Sequence, residues 1–277
     1  MGSPGIDSFA YAGHRLTYET HGEGDRVVVL LHGLLLDANV NRRLARSIAA
    51  QGYRVVLLDL LGHGGSDRPP HASLHRMDSY AAQVVALLDA IGVEKAAVGG
   101  VSLGANVALQ AAVAAPDRLW ALVVEMPVLE RATPAAAMVF VPALLALRVS
   151  GPGLRPLTSL VGRLPRPGID LVDGLLNALS LDPPAAAAVL HGMLLGPIAP
   201  TVDERAAIDV PALIIGHRAD LMHPFADAEH LARQLPDAQL LAARSMAELR
   251  AMPARLTAHI IKFLDAVWAR PARMSSG

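Results

Sequence analysis

The 277-residue chain contains no cysteine. That excludes disulfides, thiolate metal sites and cysteine nucleophiles, and leaves oxygen and nitrogen side chains for any covalent chemistry. Charge is sparse as well: Asp, Glu, Lys and Arg make up 18% of the residues and sum to −1. Neither the electrostatic footprint of a nucleic-acid-binding protein nor a polybasic membrane patch is expected, so no nucleic-acid or membrane partner is expected either. The opening stretch, residues 1–20, lacks a basic region followed by an apolar h-region, and a cytoplasmic protein is the expectation. Internal repeats and coiled-coil heptads are absent, which argues against a structural or interaction module. The 11 histidines show no His-Glu-x-x-His spacing, so no metal is expected. His71 and His75 are four apart, but they sit in a proline-flanked stretch where helical spacing means little. No cofactor is expected, and nothing indicates an oligomeric state.

What the chain does have is apolar material, 53% of its residues, enough for a sizeable core. Short leucine-rich or β-branched runs at 27–31, 55–58, 96–98, 119–124, 212–215 and 239–242 read as strands. Between them, 39–50, 78–91, 103–114, 225–235 and 253–268 read as helices, the last with Pro253 suited to a first turn. Such alternation predicts an α/β fold, a mostly parallel sheet with helices on both faces. Residues 9–20, with Gly13-His14 at their middle, predict an antiparallel hairpin on one sheet edge.

From 127 to 208 the rhythm stops. The stretch is rich in Ala, Leu, Pro and Gly, with helical patterns at 171–179 and 184–194 and no strand pattern. Residues 132–147 are very apolar, yet shorter than the roughly 20 residues a bilayer span needs, and they carry Pro134 and Pro142. Buried or lid helices account for them. The expected organisation is a core made of 1–126 and 209–277 with an inserted helical lid at 127–208. Such a lid suits an apolar small-molecule substrate, although its apolar faces could equally pack on the core.

Chemistry enters at Gly100-Val101-Ser102-Leu103-Gly104, placed directly between the strand at 96–98 and the helix at 103–114. This is the spacing of a nucleophile elbow: a serine in a strained turn needs tiny residues two before and two after it, so that strand and helix can approach. The following helix aims its first amides at developing negative charge, and the Leu103 amide becomes one oxyanion donor.

On these residues the chain resembles the α/β-hydrolase superfamily, in its lidded esterase and haloperoxidase-like branch. His32-Gly33, after the strand at 27–31, is similar to the family's oxyanion-loop motif, which implies that the Leu34 amide is the second donor. Asp59-Leu60-Leu61-Gly62-His63-Gly64-Gly65-Ser66 resembles the family's D-x-x-G-x-G-x-S turn, in which Asp59, His63 and Ser66 shape the loop. Pro211-Ala212-Leu213-Ile214-Ile215-Gly216, followed by Asp220 and Pro224, looks like the strand and loop that deliver the triad acid, which makes Asp220 that acid. The competing reading of Asp220 is a cap or turn residue before the helix at 225.

One part of the family pattern is missing. The resemblance implies a general-base histidine on the loop after the last strand, where this chain reads Arg244-Ser245-Met246-Ala247-Glu248-Leu249-Arg250. The later His259 is expected on the surface of the last helix. Four groups could replace the base: His223 on the acid loop, His217 beside it, His191 on a lid helix, or Glu248 with a raised pKa. The plainer reading of Glu248 is a surface charge beside Arg250. Glu125, at the end of the strand at 119–124, occupies a place where some branches of the family put the acid, so two acids are available. Dehalogenase and epoxide hydrolase chemistry is disfavoured, because those enzymes use an aspartate where this chain has Ser102.

Two functions stay open at this point. The first is a serine hydrolase cleaving an ester or related acyl bond of an apolar small molecule through an acyl-enzyme on Ser102. The second is a non-hydrolytic descendant, a ligand-binding protein or a catalyst without acyl transfer, that has lost the triad histidine.

Overall fold

Val27–Leu31 forms an inner strand with every residue buried. Its side chains divide by parity: Val27, Val29 and Leu31 enter one core, Val28 and Leu30 the other. That is the signature of a strand covered on both faces. The computed structural model describes residues 5–218, 220, 222–245 and 248–270. Its sheet has eight strands: β1 (Gly5–Tyr11), β2 (His14–His21), β3 (Val27–Leu31), β4 (Arg54–Leu58), β5 (Ala96–Val101), β6 (Leu119–Glu125), β7 (Ala212–His217) and β8 (Ala238–Ala243). Their order is β1-β2-β4-β3-β5-β6-β7-β8. The hairpin β1–β2 and the β2–β4 pair are antiparallel, and all other pairs are parallel.

Helices α1 (Asn39–Ala49) and α10 (Ala254–Trp268) cover one face; α2 (Met77–Ala90), α3 (Leu103–Ala114) and α8 (Phe225–Gln234) cover the other. Each sequence-expected strand and core helix is present, with ends displaced by a residue or a few. A short helix α9 (Glu248–Ala251) precedes α10.

The segment 127–208 holds α4 (Thr133–Gly162), α5 (Asp170–Leu179), α6 (Pro183–Met193) and α7 (Val202–Ala206). Here the sequence reading needs correction. Residues 133–147 belong to a single 30-residue helix, whose interior prolines, residues that remove a backbone donor, disguise its length in the sequence. Much of that stretch is also exposed rather than buried.

Both roots of this segment are clamped to elements of the core. The Asn106 side chain on α3 donates to the carbonyls of Val128 (2.7 Å) and Ile198 (3.0 Å) and accepts from the Val128 amide. Asp227, fully buried on α8, accepts from the amides of Leu129, Arg131 and Ala132. These bonds satisfy backbone groups that burial would otherwise strand.

The 59–66 turn is likewise held by side chains: Asp59 accepts from the amides of Ala38 and Gly65, and the Ser66 hydroxyl accepts from the Thr17 amide. Beneath it His32, His63, His75 and Tyr80 pack together, with the His32 and His63 rings 4.6 Å apart. His75, expected in a loop, ends a short 3₁₀ turn and is fully buried. Burial holds the His63 imidazole well below its ordinary 6.5, with His32 adding to the effect, and burial lowers His75 too. The unfolded chain therefore binds protons near pH 6.5 that the native state refuses. Stability is expected to fall as pH drops below about 6.5, by up to ~1.4 kcal/mol per pH unit for each of the two histidines. Urea unfolding midpoints at pH 7.5, 6.5 and 5.5 check this, and His63→Gln should flatten the dependence.

Candidate active site

β5 runs through two glycines into Ser102, whose backbone lies at φ 54° and ψ −110°. A side chain other than glycine's is strained there, by about 1–3 kcal/mol. The strain is held by packing. A Cβ on Gly100 would stand 2.5 Å from the Gly104 backbone, and one on Gly104 would stand 2.6 Å from the Leu31 carbonyl oxygen. Backbone hydrogen bonds fix the turn from both sides: the Ser102 amide donates to the Glu125 carbonyl at 2.9 Å, and the Ser102 carbonyl accepts from the Asn106 amide at 3.1 Å.

β3 delivers the second part. After Leu31 the chain turns at Gly33–Leu36, closed by the Leu36 amide on the Gly33 carbonyl (3.1 Å), with Leu35 at φ 59°. A positive φ at the third residue is the mark of a type II turn, for which leucine is unfavourable. His32 anchors it: Nε2 accepts from the Leu60 amide (3.1 Å), so Nδ1–H donates to the Gly33 carbonyl (2.8 Å). Leu34 sits inside this turn, and Leu103 is the first residue of α3, whose opening amides have no acceptor within the helix.

The third part comes from the loop after β7. Asp220, buried, accepts from the amides of Met222 (2.8 Å) and His223 (3.0 Å) through Oδ1, folding the loop back on itself in an Asx-type turn. That turn brings the His223 ring over the same carboxylate, with Nδ1 2.8 Å from Asp220 Oδ2. Nε2 then lies 2.9 Å from Ser102 Oγ. Serine, histidine and carboxylate thus form one continuous hydrogen-bond chain, and its histidine comes from the acid's own loop, three residues on.

The other candidates are engaged elsewhere. Both nitrogens of the buried His217 are occupied, Nε2 with Glu125 Oε1 (3.1 Å) and Nδ1 with the Ser245 carbonyl (2.7 Å). His191 on α6 meets Arg148 of α4 at 2.7 Å. His259 is exposed on α10. Glu248 is not a surface charge beside Arg250, as the sequence suggests; it is buried and paired with Arg255 (2.8 Å). The hydrogen bonds from Arg255 hold its carboxyl down to about 2, far too acidic for a general base at neutral pH.

Arg250 instead meets Glu125 at 2.8 Å, at the end of β6. Burial alone would raise the Glu125 carboxyl; Arg250 and His217 together outweigh it and hold the group below its ordinary 4.5. Glu125 therefore sits in an ion-paired cluster, and its link to the serine is through its backbone carbonyl. The sequence carries no signal for this cluster, whose members lie 92 and 125 positions apart.

An apolar wall flanks the Gly33–Leu36 turn. Leu34 and Leu35 pack with Phe140, Ala143, Leu144 and Leu147 of α4 and with Leu190 of α6. A separate cavity of about 560 Å³ lies between β2, residues 35–39 and α5, with Glu19, Asp37, Arg42 and Arg68 in its wall. Among the described residues no group of three or more histidines and carboxylates is placed to hold a metal ion.

Comparison with known proteins agrees with the fold. Residues 26–149 match the family model described as the alpha/beta hydrolase fold. A 113-residue stretch is 39% identical to a 2-hydroxy-6-oxononadienedioate/2-hydroxy-6-oxononatrienedioate hydrolase of Paraburkholderia xenovorans, covering 39% of this chain and 38% of that protein. The match thus spans less than two fifths of that relative's length. Over nearly the whole chain the structure superposes on an enol-lactonase from Burkholderia xenovorans, with a TM-score of 0.76, 21% identity and coverage of 94% of this chain and 100% of the other. It also superposes on a thermophilic esterase from Thermogutta terrifontis, with a TM-score of 0.74, 24% identity and coverage of 96% and 99%. With its eight-stranded, mostly parallel sheet, its covering helices and a strained serine turn where β5 meets α3, the chain has the α/β-hydrolase fold.

Proposed function

We propose that this protein is a serine hydrolase that cleaves a carboxylic ester, or a related acyl bond such as a lactone, in an apolar small molecule. The observation that carries the reading is the 2.9 Å contact between Ser102 Oγ and His223 Nε2, backed by Asp220. In this reading Ser102 attacks the acyl carbon while its proton passes to Nε2. Asp220 orients the ring and stabilises the imidazolium that forms. The amides of Leu34 and Leu103 hold the oxyanion, and Nε2–H then protonates the departing alcohol. Water, deprotonated by the same nitrogen, attacks the acyl-enzyme, releases the acid and restores Ser102. Phe140 and Leu147, partly buried and packed in one cluster with Leu34, offer apolar surface beside the proposed oxyanion turn. The segment 127–208 serves as the lid that supplies it. Against the ligand-binding alternative, which rests on the want of a base, stands the His223 imidazole within hydrogen-bond reach of Ser102.

Intact-mass labelling with a fluorophosphonate tests the reading without knowledge of the substrate. The expected result is one adduct on the wild-type protein, none on Ser102→Ala, and turnover of short-chain p-nitrophenyl esters that disappears in the same variant. A folded wild-type protein that takes up no adduct over hours would refute it.

A further inference from the structure

α4 leaves a long apolar surface uncovered. Met138, Leu145, Val149, Leu157 and Leu160 are between 57% and 83% exposed. At 3.6 residues per turn, Met138, Pro142, Leu145, Val149 and Leu160 fall within an arc of about 60°, with the exposed Val139, Val141 and Leu157 on its flanks. Ala136, Leu144 and Gly151 on the opposite side are buried, Leu144 among Ala187 and Leu190 of α6. An uncovered stripe of this length marks an interaction surface.

Charge identifies what covers it. Residues 133–169 contain no aspartate or glutamate and four arginines, Arg148, Arg155, Arg163 and Arg166. The near-neutral whole chain conceals this local excess. On the helical wheel Arg148 and Arg155 lie to one side of the stripe and Arg163 extends it at the C-terminal end. A second copy of the chain, pairing its α4 along the same stripe, would set arginine against arginine with no carboxylate on the helix to balance them. Anionic headgroups supply the missing sign. An apolar stripe edged by arginines is the pattern of a helix that lies in a membrane interface.

We propose that this face of α4 docks on an anionic lipid surface, with the helix lying in the headgroup plane. By length and composition Thr133–Gly151 could also cross a bilayer, but crossing would strip Leu144 from Ala187 and Leu190. Docking leaves that packing in place. Arg155 now meets Asp182 at 3.1 Å in an exposed pair, which is weak enough to exchange for a lipid phosphate. The proposal departs from the expectation of no membrane partner drawn from whole-chain charge.

Co-sedimentation of the full chain with vesicles tests it, using phosphatidylglycerol–phosphatidylcholine mixtures beside pure phosphatidylcholine at low and high salt. The expected result is binding to the anionic vesicles, at least tenfold weaker to the neutral ones, and weakened by salt. Leu145→Glu with Val149→Glu, both at exposed positions, should lose that binding while keeping the wild-type melting temperature. Absence of binding, equal binding to neutral vesicles, or full binding by the double variant would overturn the proposal. So would a dimer in light scattering that the same substitutions dissociate, since the stripe would then belong to a second copy. Binding is read without turnover, so the result is independent of the chemistry at Ser102.

Discussion

Replacing His223 by alanine is expected to lower kcat on a p-nitrophenyl ester by about 10⁴- to 10⁶-fold and to abolish fluorophosphonate labelling, with the fold intact. The magnitude follows from the arrangement. In the proposed mechanism His223 Nε2 accepts the proton of Ser102 Oγ, which lies 2.9 Å away, and a serine hydroxyl is a poor nucleophile until its proton has somewhere to go. The rival bases give a sharp contrast. His191→Gln removes a side chain that meets Arg148, and Glu248→Gln changes a carboxylate committed to Arg255. Neither should change the labelling rate by more than a few-fold. Labelling that survives in His223→Ala and disappears in one of the other two would transfer the base to that residue.

The position of this histidine shows where sequence reasoning stops. Asp220 and His223 are three residues apart on one loop, so their proximity is legible, but not the direction of the ring. That direction depends on the Asp220 carboxylate accepting two amides of its own loop. Local spacing was informative where the backbone is regular: the apolar run at 27–31, the glycines around Ser102 and the alternation of strands and helices all have direct counterparts in the fold. It failed where proline suggested a break, as in α4, and where partners are distant in the chain. The pairing of Arg250 with Glu125 rather than Glu248 is of that second kind. Glu248 and Arg250 are neighbours in sequence, yet the short helix α9 sends their side chains to different partners.

That pairing leads to a second large effect, on stability. Arg250→Met is expected to destabilise the protein by about 3–5 kcal/mol, because it leaves the Glu125 carboxylate buried with only His217 beside it. The penalty should depend on pH in a definite direction. In the wild type the Glu125 carboxyl is held below 4.5, so its contribution is present above that pH and is lost as pH falls through the lowered value. Without Arg250, burial dominates and lifts the carboxyl above its unfolded value, so the variant is weakest at neutral pH and recovers as acid protonates Glu125. Glu125→Gln combined with Arg250→Met removes the stranded charge and should restore most of the loss. The effect should also reach the serine: the Glu125 carbonyl accepts the Ser102 amide, so loosening the end of β6 releases a strained turn that packing alone must then hold. Urea unfolding and fluorophosphonate labelling rates measured on the same three proteins separate the two consequences. An unfolding midpoint and a labelling rate for Arg250→Met both equal to those of the wild type would mean that the cluster does not hold the end of β6. Wild-type stability with slowed labelling would assign it to the geometry of the serine turn alone.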